Sequence, residues 1–596
     1  MADEEVIAPN SPTGVKTFKI FLDGEEMNAK YRVELIVVQK ELNRMPFARV
    51  SIIDGSVSDR KFEISDSGEF DPGKAIEIQA GYGGEDETIF KGVIVRQGVR
   101  MAKGGKSSLL KIEAKDEYAG LCIGRKSAYF YKSLDSDIIG DVLGTHKKNY
   151  EANVTRKYEL KNEIEATKVE HDEMVQYYCS DWDFILTRAE KNGMLVNVSD
   201  GMFKVATPNL DAEPTLKLTM GATMFEFESE LDSMSQYNTV ESSSWNLSDQ
   251  DVVKIDSDEP KLGSQGKLTG SDLSKVLGID SLAINHSGSV IDKELQAWAD
   301  AKLLRARLAR LRGRVKCQGI SLVHPGDVVE LIGVGDHYSG KVFVSATRHV
   351  ISKQNWEVDI QFGLEEDWFS NREDIVDSKA SGLVPAVNGL QIGVVTQIEE
   401  DPDSEFRMLV RTPLISDKDD GIWARVAQLD AGNKRGTYFR PEIGDEVVLG
   451  YLNSDPRDPV VLGSLNSSKN PAPFTPSDDN DEKGIVTRSE MKLSFDDKDK
   501  ILYIQTADDK NRIRLDEKEK GIYIEDQHGN KIEMTSKGIL IESASNISFV
   551  AKGDISMEGT NISGEAKAEV KFEGKAGAEI STSGIAVLKG SLVQIN

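Results

Sequence analysis

Hydrophobic and polar residues alternate along most of this 596-residue chain. In residues 16–113, short runs rich in Val, Ile and Phe are separated by Gly and Asp, which is typical of β-strands joined by turns. The same pattern returns after residue 316. We therefore expect a β-barrel or sandwich at residues 16–113 and a second β-rich module, which also contains a helix, at residues 236–378.

Residues 114–235, between these modules, mix helix and strand periods and predict an α+β insertion. The segment SDIIGDVLGTH predicts a short helix, and residues 169–194 predict a longer one. The apolar residues of this longer helix, at spacings of three and four, are Val175, Tyr178, Trp182, Ile185 and Ala189. A third helix is predicted at residues 293–315, whose basic second half suits the negative end of a helix dipole.

Residues 388–466 contain five short strand patterns, which favours a small OB-like barrel. Many OB barrels bind single-stranded nucleic acid through a basic groove with stacking aromatic rings. This segment has eight Lys and Arg residues against fourteen Asp and Glu residues. Its charge therefore argues against nucleic acid as a partner.

After a linker at residues 467–484, residues 485–596 alternate with period two and have no helical pattern. Alternation places one set of apolar side chains on a single face of successive strands. The predicted core residues on this face are Ile522, Ile524, Ile532, Ile539, Ile541, Ile547 and Ile555. One chain has no second layer to cover that face, so we expect three copies to wind into a prism. A single-chain β-solenoid and a disordered polar tail are the alternatives.

Composition limits the class of protein further. The net charge is -27, which repels nucleic acid and anionic membranes. The three cysteines, Cys122, Cys179 and Cys317, form no CxxC motif, as expected of a protein made in a reducing cytoplasm. Residues 1–15 are predicted to be a flexible N-terminus, without the basic and apolar regions of a signal peptide.

No sequence motif supports catalysis or cofactor binding. The seven histidines form no HxH or HExxH pattern, and GxGxxG and GxSxG are absent. We therefore expect no catalytic residue, no metal and no cofactor, and we predict that the protein is not an enzyme.

The segment from Trp423 to Ser467 closely resembles the OB-domain signature of VgrG-type spike proteins and the related phage baseplate hub. The matching residues, which we expect to have structural roles, are Trp423, Arg425, Gly432, Gly436, Pro441, Gly444, Asp445, Glu446, Asp455, Pro456, Pro459 and Gly463. Residues 176–194 resemble the helix of the family's hub, with Cys179 at a position that is usually acidic. The order of hub, OB barrel and needle matches nearly the whole chain.

The resemblance implies a mainly β protein with an α+β hub of tube-like β-barrel modules, an OB-fold barrel and a C-terminal trimeric intertwined β-helix needle. It implies a homotrimeric spike of a contractile injection machine, adapting a six-fold inner tube to a three-fold needle that punctures a membrane. The implied partners are an Hcp-like inner tube protein, baseplate proteins, effector cargo and a PAAR-type tip protein. We expect the tip protein to sit on Val593, Ile595 and Asn596.

The resemblance also implies assembly in the bacterial cytoplasm without a signal peptide, followed by delivery outside or into a target cell. The barrel sequence leans toward extracellular phage-tail-like systems over type VI secretion, and both stay open. Two other functions are considered. A trimeric adhesin would need a receptor-binding head beyond the needle, and a hydrolase would need a pocket of convergent polar residues in residues 114–235.

Overall fold

The computed structural model describes residues 14–56, 60–101, 108–155, 158–263 and 265–595. Most of the predicted N-terminal segment at residues 1–15 therefore lies outside the described residues. The chain divides into two compact units, Met1–Ala386 and Val387–Asn596. This division falls within the segment between the second β module and the barrel that the sequence predicts.

The first unit consists of β-strands with four α-helices among its described residues. Its strands are β1 (Lys16–Leu22), β2 (Glu25–Glu26), β3 (Arg32–Glu41), β4 (Phe47–Ile53), β5 (Ala75–Tyr82), β6 (Glu85–Arg100), β7 (Leu109–Lys115), β8 (Lys126–Leu134), β9 (Lys161–Ile164), β10 (Glu170–Cys179), β11 (Leu195–Ser199), β12 (Met202–Ala206), β13 (Leu216–Thr219), β14 (Met224–Leu231), β15 (Thr239–Asn246), β16 (Asp251–Asp256), β17 (Ser281–His286), β18 (Leu311–Gln318), β19 (Val328–Ile332), β20 (Gly340–Ser352) and β21 (Trp356–Phe362). Its helices are α1 (Asp135–Asn153), α2 (Asp181–Lys191), α3 (Gly270–Leu277) and α4 (Asp292–Ala309).

One large sheet dominates this unit, in the order β14-β18-β21-β20-β3-β4-β7-β6-β5-β1-β2, with β19 beside β20 and β13 beside β19. It joins the two predicted β modules, because β3 pairs with β20 and places Val38 opposite His349. Strands β13 and β14, from the predicted insertion, pair with β19 and β18 of the second module. The last part of residues 114–235 therefore belongs to the second module.

Three small sheets complete the unit, and their orders are β10-β8, β11-β12-β9 and β16-β15-β17. The alternating residues of the large sheet form a continuous core. Val38, Ile52, Ile78 and Phe90 in this core are fully buried. A second core packs α1 and α2 against the insertion strands around Ile138 and Ile185. Residues of this one chain bury both cores.

Residues 169–194 do not form the single helix that the sequence predicts. Val175 and Tyr178 lie in β10, and the helix α2 begins only after Ser180. The Ser180 hydroxyl accepts a hydrogen bond from the Asp183 N–H at 3.0 Å and caps the helix. The spacing of apolar residues arose from a strand followed directly by a helix.

The predicted helix at residues 293–315 is too long, since α4 ends at Ala309 and β18 follows. Val315 and Cys317 alternate with more accessible residues of β18 and are buried in the large sheet. A Cβ atom at Gly313 would lie 2.3 Å from the Glu228 carbonyl oxygen, so this glycine permits close pairing with β14. Tertiary pairing thus overrides the helical pattern.

The second unit begins with a closed barrel in the order β22-β23-β24-β28-β27, which confirms the predicted five-stranded OB barrel. Its strands are β22 (Gln391–Gln397), β23 (Met408–Arg411), β24 (Ile422–Val426), β25 (Ala431–Gly432), β26 (Arg435–Gly436), β27 (Glu446–Tyr451) and β28 (Pro459–Ser464). Strands β25 and β26 form a separate small hairpin between β24 and β27. Val410, Ala424, Val447 and Leu449 fill the barrel and are 0% exposed.

A seven-stranded antiparallel meander follows the barrel. Its strands are β29 (Glu482–Val486), β30 (Lys492–Asp496), β31 (Ile501–Gln505), β32 (Arg512–Asp516), β33 (Gly521–Glu525), β34 (Lys531–Thr535) and β35 (Gly538–Glu542). We call residues 482–542 the needle sheet. The first strand begins inside the predicted linker at 467–484. The described residues after Glu542 contain no strand, so Ile547 and Ile555 lie outside regular structure, contrary to the continuous strand pattern predicted there.

Candidate functional site

The family signature lies on the barrel and on the long connection between β24 and β27. Trp423 and Arg425 lie in β24, Glu446 begins β27, and Pro459 and Gly463 lie in β28. The remaining signature residues lie in the small hairpin and in the loops before β27 and β28, and they are Gly432, Gly436, Pro441, Gly444, Asp445, Asp455 and Pro456. Their structural role stays a prediction.

Two of these glycines occupy backbone positions that other residues rarely adopt. Gly436 has φ +133°, and a Cβ atom there would lie 2.2 Å from the Asp430 carbonyl oxygen. Gly444 has φ +92° in the turn before β27, where the Asp445 carboxylate accepts a hydrogen bond from the Glu442 N–H at 2.9 Å. These contacts fix the shape of the connection between β24 and β27.

Asp455 has a similar local role in the loop before β28. Its carboxylate accepts three hydrogen bonds from the Arg457 guanidinium, the shortest at 2.7 Å. These hydrogen bonds from Arg457 hold the pKa of Asp455 below its usual range. The hydrogen bonds between Arg457 and Asp455 stiffen the turn before β28, which is a structural role.

The needle sheet carries the most unusual surface of the molecule. Its register aligns apolar side chains on one face in two columns that cross the strands. The first column is Ile485, Leu493, Ile504, Ile513, Ile524, Ile532 and Ile541, and the second is Phe495, Leu502, Leu515, Ile522, Met534 and Ile539. We call this surface the apolar face. Five of the predicted core residues, Ile522, Ile524, Ile532, Ile539 and Ile541, share it.

The single chain leaves the apolar face open to solvent. Ile522 is 37% exposed, Ile524 is 38% exposed and Ile539 is 68% exposed. A groove of about 700 Å³ lies on this face between Phe495, Leu515 and Met534. Soluble monomers rarely expose such a continuous apolar surface, which therefore marks an interaction site.

The opposite face of the needle sheet is polar and charged. Arg512 forms an ion pair with Glu525 at 2.6 Å, and Lys531 forms one with Glu542 at 3.2 Å. The Arg514 guanidinium lies 4.1 Å from the centre of the Tyr523 ring. One face is therefore suited to water and the other is not.

Residues 543–595 continue this exposure without a partner strand in the described chain. Phe549 is 71% exposed, Val550 is 92% exposed and Phe572 is 86% exposed. In the predicted seat of the tip protein, Val593 is 51% exposed and Ile595 is 87% exposed. Asn596 lies outside the described residues, and the seat stays a prediction.

A buried charged cluster in the first unit is the arrangement there that most resembles a catalytic group. The Asp135 carboxylate lies 3.1 Å from His171 Nε2 and accepts a hydrogen bond from Arg188 Nε at 2.6 Å. Burial alone raises the pKa of Asp135, but the hydrogen bonds from His171 and Arg188 outweigh it and hold the pKa well below its usual range. Asn192 also donates to this carboxylate, so its oxygens are already engaged and the cluster joins α1, β10 and α2.

Within the described ranges, no group of three or more His, Cys, Asp or Glu side chains could hold a metal ion. Among those residues, no helix is both long and apolar enough to cross a membrane.

Sequence reasoning missed the buried Lys40. Its ammonium group forms an ion pair with Asp200 at 2.6 Å and donates to the Ser199 hydroxyl at 2.8 Å, which fastens the β11–β12 turn to β3. Lys40 is 1% exposed. An alternating strand pattern places a residue on a face but does not show that an insertion covers it, so no sequence signal could have identified this contact.

The comparisons with known proteins support the barrel assignment directly. Residues 391–465 match the family described as the type VI secretion system/phage-baseplate injector OB domain. The chain is 31% identical over 87 residues to the type VI secretion system spike protein VgrG3 of Vibrio cholerae. This match covers 14% of the chain and only 9% of the length of that curated relative.

Solved structures of spike and tail proteins also resemble the chain. The E. coli c3393 protein, described as a type VI secretion component, is 11% identical, with 75% of this chain and 100% of that chain covered and a TM-score of 0.38. The Francisella PdpA–VgrG complex in its half-lidded form is 10% identical, with 89% and 88% covered and a TM-score of 0.35. Because these TM-scores are low, the family assignment depends on the sequence-family matches and not on the solved structures.

The family model described as the Alg8 N-terminal domain matches residues 12–353. That description names a domain and no activity. The injector OB match and the VgrG3 match together confirm the resemblance to VgrG-type spike proteins. Because the Alg8 N-terminal domain model covers more than half of the chain, the protein belongs to that family, and it carries an injector OB domain at residues 391–465.

Proposed function

We propose that this protein is the homotrimeric central spike of a contractile, phage-tail-like injection machine. The observation that carries the proposal is the open apolar face of the needle sheet. Each of its two columns takes one apolar side chain from nearly every strand, and nothing in the described part of the chain covers them.

Self-association is the simplest cover for this face. Covering the remaining exposed area of an isoleucine such as Ile524 stabilises the assembly by roughly 1 kcal/mol, and the face repeats such positions over seven strands. Three flat sheets around an axis enclose a narrow prism, in which each apolar face points toward the axis. The ion pairs of the opposite faces then stay in water.

Residues 543–595 support the same arrangement. They hold exposed apolar residues such as Phe549 and Ile580, yet the described chain gives them no strand partner. Unpaired backbone groups and apolar side chains both gain from pairing with neighbouring copies. We infer that this part becomes ordered β structure only between chains.

In this function the first unit is the hub that adapts a six-fold inner tube to the three-fold needle. The inner tube protein, baseplate proteins and a PAAR-type tip protein are the partners we propose, and effectors are the cargo. Francisella VgrG in complex with PdpA is a related spike bound to another protein. We place assembly in the bacterial cytoplasm and action at the membrane of a target cell, by mechanical puncture.

Native mass spectrometry combined with electron microscopy of the purified full chain tests this function. We expect a particle of three times 65.7 kDa, with a thin rod projecting from one end. Ile524→Val serves as a matched control that keeps the apolar face and should give the same particle. A monomer, or a trimer without a rod, would contradict the proposal.

A further inference from the structure

A second surface on the barrel is open in the single chain. Residues 427–445, which we call the flap, connect β24 to β27 and include the hairpin of β25 and β26. The flap exposes large apolar side chains: Leu429 is 97% exposed, Tyr438 is 73% exposed and Phe439 is 60% exposed. The barrel core is complete without them, since its interior residues come from the five barrel strands.

The flap also leaves a groove between itself and the barrel. This groove has a volume of about 680 Å³ and is lined by Phe406, Val426, Gln428 and Tyr438 together with the hairpin. At the tip of the flap, Lys434 has no ion-pair partner in the part of the chain that the structure describes. Its neighbour Arg435 is paired with Asp430 at 2.7 Å. The flap therefore offers an apolar groove beside a free positive charge.

A complementary surface lies elsewhere on the same barrel. Residues 412–421, which we call the acidic loop, connect β23 to β24 and expose Leu414 at 92% and Ile415 at 76%. The next residues include Asp417, Asp419 and Asp420 with the single basic residue Lys418 between them, and none of the three carboxylates has an ion-pair partner among the described residues. The acidic loop thus pairs exposed aliphatic side chains with negative charge.

One chain cannot bring these two surfaces together. The acidic loop precedes β24 and the flap follows it, so they lie at opposite ends of the same strand. Complementary patches at opposite ends of a subunit give a head-to-tail contact, which closes into a ring when the rotation permits. An isologous dimer would instead need one patch that matches itself.

The flap is also continuous with the needle. Arg488, in the turn between β29 and β30, forms an ion pair with Glu442 of the flap at 3.0 Å. The flap thus lies beside the root of the surface at which, under the proposed function, three copies meet. A contact made there would join neighbouring barrels directly above the needle.

We propose that the flap of each copy receives the acidic loop of the next copy, with Leu414 and Ile415 in the flap groove and Lys434 facing the loop carboxylates. This inference rests on the proposed trimer and adds a second interface to it. Three such contacts form a collar of barrels that holds the chains in a ring independently of the needle core.

Hydroxyl-radical footprinting of the purified full chain tests the collar. Tyr438 and Tyr177 have the same chemistry and similar exposure in one chain, 73% and 83%, so Tyr177 is the internal reference. We expect Tyr438 to be modified several-fold more slowly than Tyr177. Lys434→Glu should raise the rate at Tyr438, and combining it with Asp417→Lys and Asp419→Lys should lower the rate again. The control Lys469→Glu, an exposed lysine in the linker, should change nothing.

The outcomes separate this inference from the proposed function. A trimer in which Phe549 and Phe572 are protected while Tyr438 reacts as fast as Tyr177 overturns the collar and leaves the needle intact. A monomer in which all four residues react freely overturns the proposed function and the collar together. Protection of Tyr438 that Lys434→Glu does not change overturns the predicted contact.

Discussion

The hub sheet and the needle sheet are built from the same kind of strand and differ in what covers them. In the hub, apolar residues such as Ile78 and Phe90 are 0% exposed, because the sheet curls around its own core. In the needle, Ile522 and Ile524 occupy equivalent alternating positions and are 37% and 38% exposed. The hub buries its core within one chain, and under the proposed function the needle is one part of a larger fold.

The difference shows that the alternation of apolar and polar residues specifies which side chains share a face of a sheet. It does not specify which residues pack against that face. Strand β3 of the hub pairs with β20 and β4, and its residues Ile36 and Val38 are buried in the large core. Among the described residues, each needle strand pairs only with its meander neighbours. A two-layer core is the usual requirement for a stable sheet, and under the proposed function neighbouring copies supply the second layer of the needle.

The largest effect is expected from a charge on the apolar face. Ile524→Asp places three carboxylates inside the proposed prism, and burying each costs several kcal/mol, so the trimer should be lost. Native mass spectrometry measures this directly. Tyr523→Asp is the control, because Tyr523 precedes Ile524 and lies on the polar face. If the two variants are equally trimeric, the apolar face is not the interface.

A core truncation in the hub should have a large effect on stability and none on assembly. Phe90→Ala leaves a cavity in a closed core and should lower the free energy of unfolding by about 3–5 kcal/mol. Chemical denaturation of the hub transition measures it, and the particle mass should not change. Phe225→Ala, at a 57% exposed site, should cost less than about 0.5 kcal/mol. Equal losses would show that the hub core is not closed as described.

The next effect is a dependence of hub stability on pH. Asp116 is fully buried and accepts hydrogen bonds from the N–H groups of Tyr118 and Gly201. Burial raises the pKa of Asp116 to about 6, from an ordinary value of 3.8. Between these two values the folded state holds a proton that the unfolded state has lost. The free energy of unfolding therefore falls as pH rises through this window, by about 3 kcal/mol.

Asp116→Asn tests this dependence, because an amide does not titrate. The variant should lose some stability at every pH, since its NH₂ group faces a backbone donor, but the slope between about pH 4 and pH 6 should disappear. The exposed Asp71→Asn is the control and should keep the slope. Denaturation midpoints at several pH values measure it. An unchanged slope in Asp116→Asn would assign the titration to another group.

The smallest effect is expected on the polar face of the needle. Arg512 and Glu525 form an ion pair at 2.6 Å with side chains 40% and 30% exposed. Solvent screens such pairs, so Arg512→Ala should change stability by about 0–1 kcal/mol and less at high salt. Thermal unfolding of the trimer at low and high salt measures it. A loss as large as that of Ile524→Asp would mean that this face is buried in the assembly.

Several parts of the fold could be predicted because their signals are local. The five barrel strands follow from alternation, and the positive φ of Gly444 follows from the turn that precedes β27. The existence of helix α1 also follows from its period, but the helix runs to Asn153, beyond the predicted segment at residues 136–146. Residues 169–194 could not be assigned correctly, because a strand ending at Cys179 and a helix starting at Asp181 together imitate one apolar spacing.

The sequence by itself determined which residues of the needle share a face, because side chains alternate along any extended strand. It also determined the barrel and the resemblance to VgrG-type spike proteins, through residues of the OB-domain signature. Only the tertiary structure decided that β3 and β20 join the two β modules in one sheet, that Lys40 is buried under the insertion, and that the needle sheet stays uncovered. These three features depend on contacts between residues far apart in the chain. Local patterns of polar and apolar residues contain no information about such contacts.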